Sequence, residues 1–360
     1  MYMQELTVIG LMSGTSLDGI DAAAIRTNGV EVLEIGPSFT LPYDDTMRNR
    51  IRAAINEQGV TDDPHLERDL TIMHSEAVMQ LDEQYNVRAD LIGFHGQTIV
   101  HKPEEGYTWQ IGDGKLLADL TGIDVINDFR TADVKAGGQG APLVPIYHMA
   151  VCASIEGPLA ILNIGGVANV TWIGENDELL AFDVGPGNAM INDVMKEYFD
   201  VEFDEDGKIA KQGVANKAII GKYMRNPFFG QMPPKSLDRN AFDLSLVTGL
   251  EPYDQVATLT EFTVEAIVAA HKHFPQPVNA LYVTGGGRHN THMMNLLRRE
   301  LGNVVQPIED LGLDGDALEA QAFAYLAARV LYELPISFPQ TTGCRFSPMG
   351  NAAVLHRFKN

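Results

Sequence analysis

One arrangement occurs twice in this sequence of 360 residues. A short apolar strand, a glycine-bearing turn and a second apolar strand span residues 6–26 and again residues 159–173, about half a chain apart. A duplicated α/β lobe is the economical explanation, and at roughly 150 residues per domain the length suits two packed lobes. No short-period repeat is present. In the first half, apolar runs at 6–12, 20–26 and 30–35 are separated by turn residues and read as a β-meander. Leu66, Leu70, Met73, Ala77 and Leu81 then keep the spacing of one helix face over 66–85. Residues 90–94 read as a strand, with His95-Gly96-Gln97 as its turn. Gly137-Gly138-Gln139-Gly140 is the first clear flexible punctuation. It places the lobe boundary nearby, giving lobes 1–135 and 136–360, with the last residues packing back on the first lobe. The second half restarts the pattern, with helices expected at 188–199, 257–274 and 316–334. Asn188 is expected as an N-cap, and Asp316 with Glu319 as a capping box.

Composition narrows the function. Lys and Arg number 26 and Asp and Glu 48, a net charge of −22. Such a field repels phosphate backbones and anionic lipid heads, which argues against nucleic-acid and membrane partners. An anionic ligand must then be held by backbone N–H groups, helix N-termini and a bridging cation. Residues 136–155 and 157–174 are long and charge-free, but Pro142, Pro145, Gly165 and Gly166 mark them as buried strands and turns, not membrane spans. The first 14 residues do not read as a signal peptide. Two cysteines, Cys152 and Cys344, make neither a disulfide framework nor a four-ligand zinc site, and free thiols suit a reducing cytoplasm.

Three small-residue turns at strand ends carry the chemistry. The first is Gly14-Thr15-Ser16-Leu17-Asp18-Gly19-Ile20-Asp21. Its glycines allow close backbone approach, its hydroxyls donate, and successive N–H groups form an anion nest. Asp18 and Asp21 make sense there if Mg²⁺ lies between carboxylate and phosphate. A plain Gly/Ser/Asp hairpin turn reads equally well from this segment alone. The second turn holds Gly165 and Gly166, between two apolar strands. The third, Gly285-Gly286-Gly287, follows a strand and precedes a helix, aiming a helix N-terminus at a ligand. Together, in a chain of this charge, they favour a polyphosphate ligand with a metal.

Spelling excludes common alternatives. No Gly-Lys pair is followed by Ser or Thr, so there is no Walker A loop. Asn290 occupies the third glycine place of a dinucleotide fingerprint starting at Gly285. His271 with His273, and His289 with His292, lack the carboxylates or thiols of a metal site. Asp183 lies where an apolar run meets Gly185-Pro186-Gly187. It suits general-base work, with an ordinary pKa of about 4, or else it caps turn N–H groups. His95 to Thr98 and Asp128-Phe129-Arg130 could bind a sugar or carboxylate, or be satisfied loop ends.

Taken in order, Met12–Gly19, His95–Thr98, Gln110–Gly114, Asn127–Asp133, Asn163–Asn169, Phe182–Asn188, Thr284–Asn290 and Thr341–Gly343 resemble the anhydro-N-acetylmuramic acid kinase family across nearly the whole chain. The resemblance implies two duplicated ribonuclease-H-like lobes around a central cleft, the actin-like ATPase fold of the sugar kinase, Hsp70 and actin superfamily. It implies a cytoplasmic homodimer that uses ATP, Mg²⁺ and water to open the 1,6-anhydro ring of anhydro-N-acetylmuramic acid and phosphorylate O6, in cell-wall murein recycling. On the same resemblance Gly14 to Asp21, Gly165, Gly166 and Gly285 to Gly287 bind ATP, with Asp18 toward Mg²⁺. Asp183 is the catalytic base, and His95, Gln97, Arg130 and Glu319 face the sugar. After Pro233-Pro234-Lys235-Ser236 the sequence departs from the family pattern, with Leu237-Asp238-Arg239-Asn240 in place of Thr-Gly-Arg-Glu. Two other classes compete. One is an ATP-driven conformational switch that phosphorylates no small molecule, and the other a nicotinamide enzyme built on Gly285–Gly287.

Overall fold

The computed structural model describes residues 3–14, 16–59, 63–238, 241–349 and 352–358. The first sheet opens with the meander: β1 (Leu6–Ser13), β2 (Gly19–Thr27) and β3 (Val32–Pro42), each antiparallel to the last. β4 (Leu91–Lys102) lies parallel to β1 on its other side, β5 (Tyr107–Ile111) folds back on β4, and β6 (Asp124–Asn127) runs parallel to β4. The second sheet repeats the plan. β7 (Leu159–Ile164), β8 (Val167–Ile173) and β9 (Leu179–Pro186) form an antiparallel meander. β10 (Ala280–Thr284) then runs parallel to β7, and β11 (Val305–Pro307) parallel to β10. The short β12 (Val354–His356) returns to the first sheet, antiparallel to β6.

The two meanders and their parallel partners therefore share order and sense: β3-β2-β1-β4-β6 in one sheet and β9-β8-β7-β10-β11 in the other. This is the duplicated ribonuclease-H-like α/β fold of actin-like ATPases. The compact units are 1–154 with 317–360, and 155–316. The sequence-based boundary after residue 135 thus falls inside the first unit. Gly137–Gly140 is not a linker. The Gly138 and Gly140 N–H groups donate to the Asp133 backbone oxygen and to Asp133 Oδ2, at 2.9 and 2.7 Å, so the glycines wrap a buried carboxylate.

Alternation along the strands sets the layers. Ile9, Leu11, Ile92 and Phe94 pack with Ile51 and Leu70, from helices Asp45–Asn56 and Leu66–Tyr85. Gly10 and Gly93, between them in sequence, face the opposite way. A Cβ on Gly10 would lie 1.7 Å from the Ala320 carbonyl oxygen, and one on Gly93 would lie 2.1 Å from that of Phe323. Helix Leu318–Leu331 therefore rests on sheet backbone. Its N-terminus lacks the expected box. No side chain caps it, because the Asp316 carboxylate is taken by Arg288 Nη1 and Nη2, both at 2.8 Å. In the second unit, helix Pro252–Ala270 packs on β9, where a Cβ on Gly185 would meet Ala266 Cβ at 2.7 Å.

Gly10→Ala should lower stability by about 2–3 kcal/mol or prevent folding, since overpacking a close backbone contact forces the layers apart. Gly221, inside helix Lys217–Tyr223, has nothing within 4 Å of the place a methyl group would take. Gly221→Ala should be neutral or stabilising by up to ~1 kcal/mol. Calorimetric melting of the two variants beside the parent checks both expectations.

Candidate functional site

The β1–β2 turn is fastened from three directions. Leu17 takes a left-handed φ of +57°, and its N–H donates to Gly14 O at 3.3 Å. Arg48 Nε donates to Leu17 O at 3.0 Å, and the Tyr43 N–H donates to Asp18 O at 3.0 Å. At the base, Ser13 Oγ bonds Tyr43 OH at 2.6 Å and donates to Gln97 Oε1 at 2.5 Å. Ser16 Oγ donates to Asp18 Oδ1 at 2.8 Å. Around Gly14 there is room, as a Cβ would find only Ser16 Oγ, at 3.5 Å. Gly19, Ile20 and Asp21 are already engaged by the sheet. A Cβ on Gly19 would meet Leu41 O at 2.4 Å, Ile20 is fully buried, and Asp21 accepts from Thr40 Oγ1 at 2.7 Å. Thr15 lies outside the described residues.

His95, Arg130 and Glu319 gather in the same unit. His95 is in the interior of β4, which runs on through residues 95–98 where the sequence suggested a turn. Its Nδ1 pairs with Gly96 O at 2.8 Å and its Nε2 accepts from Arg130 Nε at 2.9 Å, the pattern of a neutral ring protonated on Nδ1. Burial, reinforced by the Arg130 charge, holds its pKa well below the usual imidazole range. Arg130 also donates from Nη1 to Gly140 O at 2.6 Å. Burial lowers its pKa to about 10, against the pull of Glu319 and Asp133. Surrounding protein raises the Glu319 pKa, Arg130 draws it down, and the Asp18 carboxylate pushes it up again. The side chain is nevertheless solvent-exposed, so water screens these effects. Gln97 is fully buried and spends its amide on Ser13 and on the Thr98 carbonyl, so it positions the turn from beneath.

In the second unit the β7–β8 turn and the start of helix Ala189–Phe199 are laced together. The Gly187 and Ala189 N–H groups donate to Gly166 O at 2.9 and 3.2 Å, and the Asn188 N–H donates to Gly165 O at 2.7 Å. Asn188 holds the N-cap position of its helix, as expected, but its side chain makes no capping bond. Its Nδ2 reaches back to Ile164 O at 3.1 Å. Of the three later glycines, Gly285 (φ +74°) and Gly287 are demanded by contact with Asn163 and Ile164, whereas Gly286 is open, with only Asn188 Nδ2 at 4.0 Å. The helix that follows, Thr291–Leu301, has its N-terminus capped by Asn290, whose Oδ1 accepts from the Met293 N–H at 2.9 Å. A 3₁₀ turn at Gly286–His289 intervenes, so it is this turn and not the α-helix end that Gly286 presents.

Asp183 sits inside β9, opposite Asn169 and beside a register shift, not at the strand end. Its N–H donates to Lys235 O at 2.9 Å, and its Oδ2 accepts from the Leu237 N–H at 2.7 Å. Burial raises its pKa to about 7, although the Leu237 bond and the Lys235 ammonium both pull it down. This corrects the ordinary value expected from sequence, because the carboxyl has lost most of its water. The strap through Lys235–Leu237 has no motif of its own that marks it as a partner of Asp183. Nor do Tyr43 and Arg48 announce that they hold the β1–β2 turn.

Among the described residues no cluster of three or more His, Cys, Asp or Glu could cage a metal. The donor set at Asp18 suits a cation shared with phosphate oxygens, which needs only one or two protein carboxylates. No helix among the described residues is long and apolar enough to cross a membrane. An apolar hollow of about 470 Å³ in the second unit, lined by Met195, Phe199, Phe203 and Ile209, shares no residue with these turns.

Comparison with known proteins decides the family. The model of the anhydro-N-acetylmuramic acid kinase family matches residues 6–353. The chain belongs to this family. An anhydro-N-acetylmuramic acid kinase of Rhodospirillum rubrum is 50% identical over 339 residues, 93% of this chain and 90% of that protein. One of Rhizorhabdus wittichii is 47% identical over 366 residues, 99% of this chain and all of that protein. One of Paramagnetospirillum magneticum is 47% identical over 344 residues, 94% of this chain and 96% of that protein.

The raised Asp183 pKa makes a stability prediction. A carboxyl protonated more readily when folded binds extra protons between its unfolded value, about 4, and its folded value, about 7. Its cost is absent below pH 4, grows through that window and is complete above pH 7. Asp183→Asn, which keeps an acceptor for Leu237, should raise stability at pH 8 by on the order of 2 kcal/mol and leave it unchanged at pH 4. Thermal melts across this pH range check the sign.

Proposed function

We propose that the protein is an ATP-dependent kinase that opens the 1,6-anhydro ring of anhydro-N-acetylmuramic acid with water and phosphorylates O6, giving N-acetylmuramic acid 6-phosphate and ADP. Membership of the family supports the substrate and the reaction class. The observation that carries the chemistry is the Asp183 carboxylate, held by one oxygen on the Leu237 N–H, with burial pushing its pKa up to about 7. A base is most effective when its pKa lies near the working pH.

In this reading Asp183 removes a proton from a water molecule as the water oxygen bonds to C1. The C1–O6 bond breaks, and its electron pair forms the new bond from O6 to the γ-phosphorus of ATP. ADP departs with the electrons of the broken phosphoanhydride bond. Acetal cleavage ordinarily needs an acid to protonate the leaving oxygen, and here phosphorus takes that part. The arrangement is that of an inverting glycosidase whose acid is replaced by a phosphoryl group. The turn at Gly14, Thr15, Ser16, Leu17 and Asp18 is assigned to phosphate, as are Gly165, Gly166 and Gly286. Asp18 would hold Mg²⁺, which when bound neutralises charge gathering on the phosphates. Arg130 and Glu319 are assigned to the sugar. Arg130 is held by His95 and by Gly140 O, which limits the directions its remaining N–H groups can take. The protein would act in the cytoplasm, in murein recycling, as a homodimer.

Incubation with ATP, Mg²⁺ and anhydro-N-acetylmuramic acid in ¹⁸O-water should place label at C1 of a 6-phosphorylated product. Unlabelled product, or ADP release that ignores the sugar, would overturn the reading. Asp183→Asn should bind ATP normally and lose turnover by about 10²–10⁴-fold.

A further inference from the structure

β9 is the edge strand of its sheet. Edges are commonly covered, and here residues 235–237 do so in an unusual way. The Asp183 N–H donates to Lys235 O as in a β-bridge. The reciprocal donor, the Leu237 N–H, goes to the Asp183 side chain, 2.7 Å from Oδ2. One carboxylate oxygen is thereby fixed in place by backbone. The strap itself is pinned by Lys235. Its Nζ donates to Phe228 O at 3.1 Å and lies 4.3 Å from the centre of the Phe228 ring and 5.8 Å from that of Phe182, the residue preceding Asp183. A lysine anchored to a carbonyl and an aromatic face has lost much of its freedom to swing away.

We propose that Lys235 is a positioning residue for Asp183: it pins the strap whose Leu237 amide orients the carboxylate, and it sets a positive charge facing that carboxylate. The inference rests on the reading of Asp183 as the base. Among the described residues, Lys272 and His273 join the pair electrostatically. Asp183 faces the Lys235 ammonium. Burial, helped by Lys272, lowers the Lys235 pKa to about 8 against the pull of Asp183, so the ammonium persists through the acid limb, and His273, whose ring centre is 5.7 Å from that of Phe182, feels both lysines. Lys272 works against Lys235, so the ammonium is held there by Phe228 and by Asp183. Its position just before the segment where the sequence leaves the family pattern makes the strap a local feature to test directly.

The experiment is a pH profile of kcat/KM from pH 5 to 9 for the parent, Lys235→Met and Lys235→Arg, with ATP, Mg²⁺ and anhydro-N-acetylmuramic acid. Removing a facing opposite charge should move the acid limb of Lys235→Met up by about one pH unit, so that activity falls about tenfold at pH 6 and far less at pH 9. Lys235→Arg should restore the parental limb. A merely structural lysine would instead lower activity by one factor at every pH, and that result, or an unmoved limb in folded Lys235→Met, overturns the proposal. If Lys235→Met does not fold, Lys235→Gln takes the same measurement. Failure of the underlying reading has a different signature: Asp183→Asn would then keep near-parental turnover, whatever the lysine variants do.

Discussion

Helix Leu318–Leu331 lies so close to β1 and β4 that no side chain fits at Gly10 or Gly93. Backbone-to-backbone contact of this kind is stiff, because neither partner has a rotamer to change. Glu319 precedes Ala320, the residue whose carbonyl meets Gly10, so the glycine contact also sets where the Glu319 carboxylate stands. The same helix brings Phe323 under Arg130, 5.9 Å from its guanidinium, and against the His95 ring at a centroid distance of 4.5 Å. Residues far apart in sequence are thus gathered by one contact without any of them bonding to Glu319.

The second unit meets a different constraint. Asp183 is kept part-buried in a strand, where an ionised carboxylate is expensive, and is given one backbone donor and one ammonium in return. More donors would make the carboxylate comfortable and a poorer base. The arrangement leaves a residue that weakens the fold at neutral pH, a usual relation between a reactive group and the stability around it.

Much of the scaffold was legible in sequence. The helix over 66–85 and the strand over 280–284 match their apolar patterns, because both bury one dominant face or all of their length. The two strand–turn–strand units reappear as the paired meanders, since period-two alternation and Gly turns are local signals. What failed was decided by distant partners. Asp316 looks like a helix cap but is drawn to Arg288, a buried guanidinium that has Glu309 as its other carboxylate. Gly137–Gly140 looks like a linker, but the buried Asp133 that orders it cannot be recognised as buried from its neighbours. In the site, Gly14, Asp18 and Gly286 kept open surroundings. At Gly19, Gly285 and Gly287 an added Cβ would meet neighbouring atoms at 2.2–2.4 Å, so packing demands glycine there, a requirement that spelling alone does not carry.

The first unit is assembled from both ends of the chain, with 155–316 made in between. On a ribosome adding roughly 5–20 residues per second, the face of β1 and β4 that carries Gly10 and Gly93 stands bare for on the order of ten seconds before its covering helix emerges. The second unit, continuous in sequence, has all its strands at hand earlier. Synthesis therefore imposes an order in which the half begun first is finished last, and its exposed apolar sheet is the surface that chaperones have most time to meet.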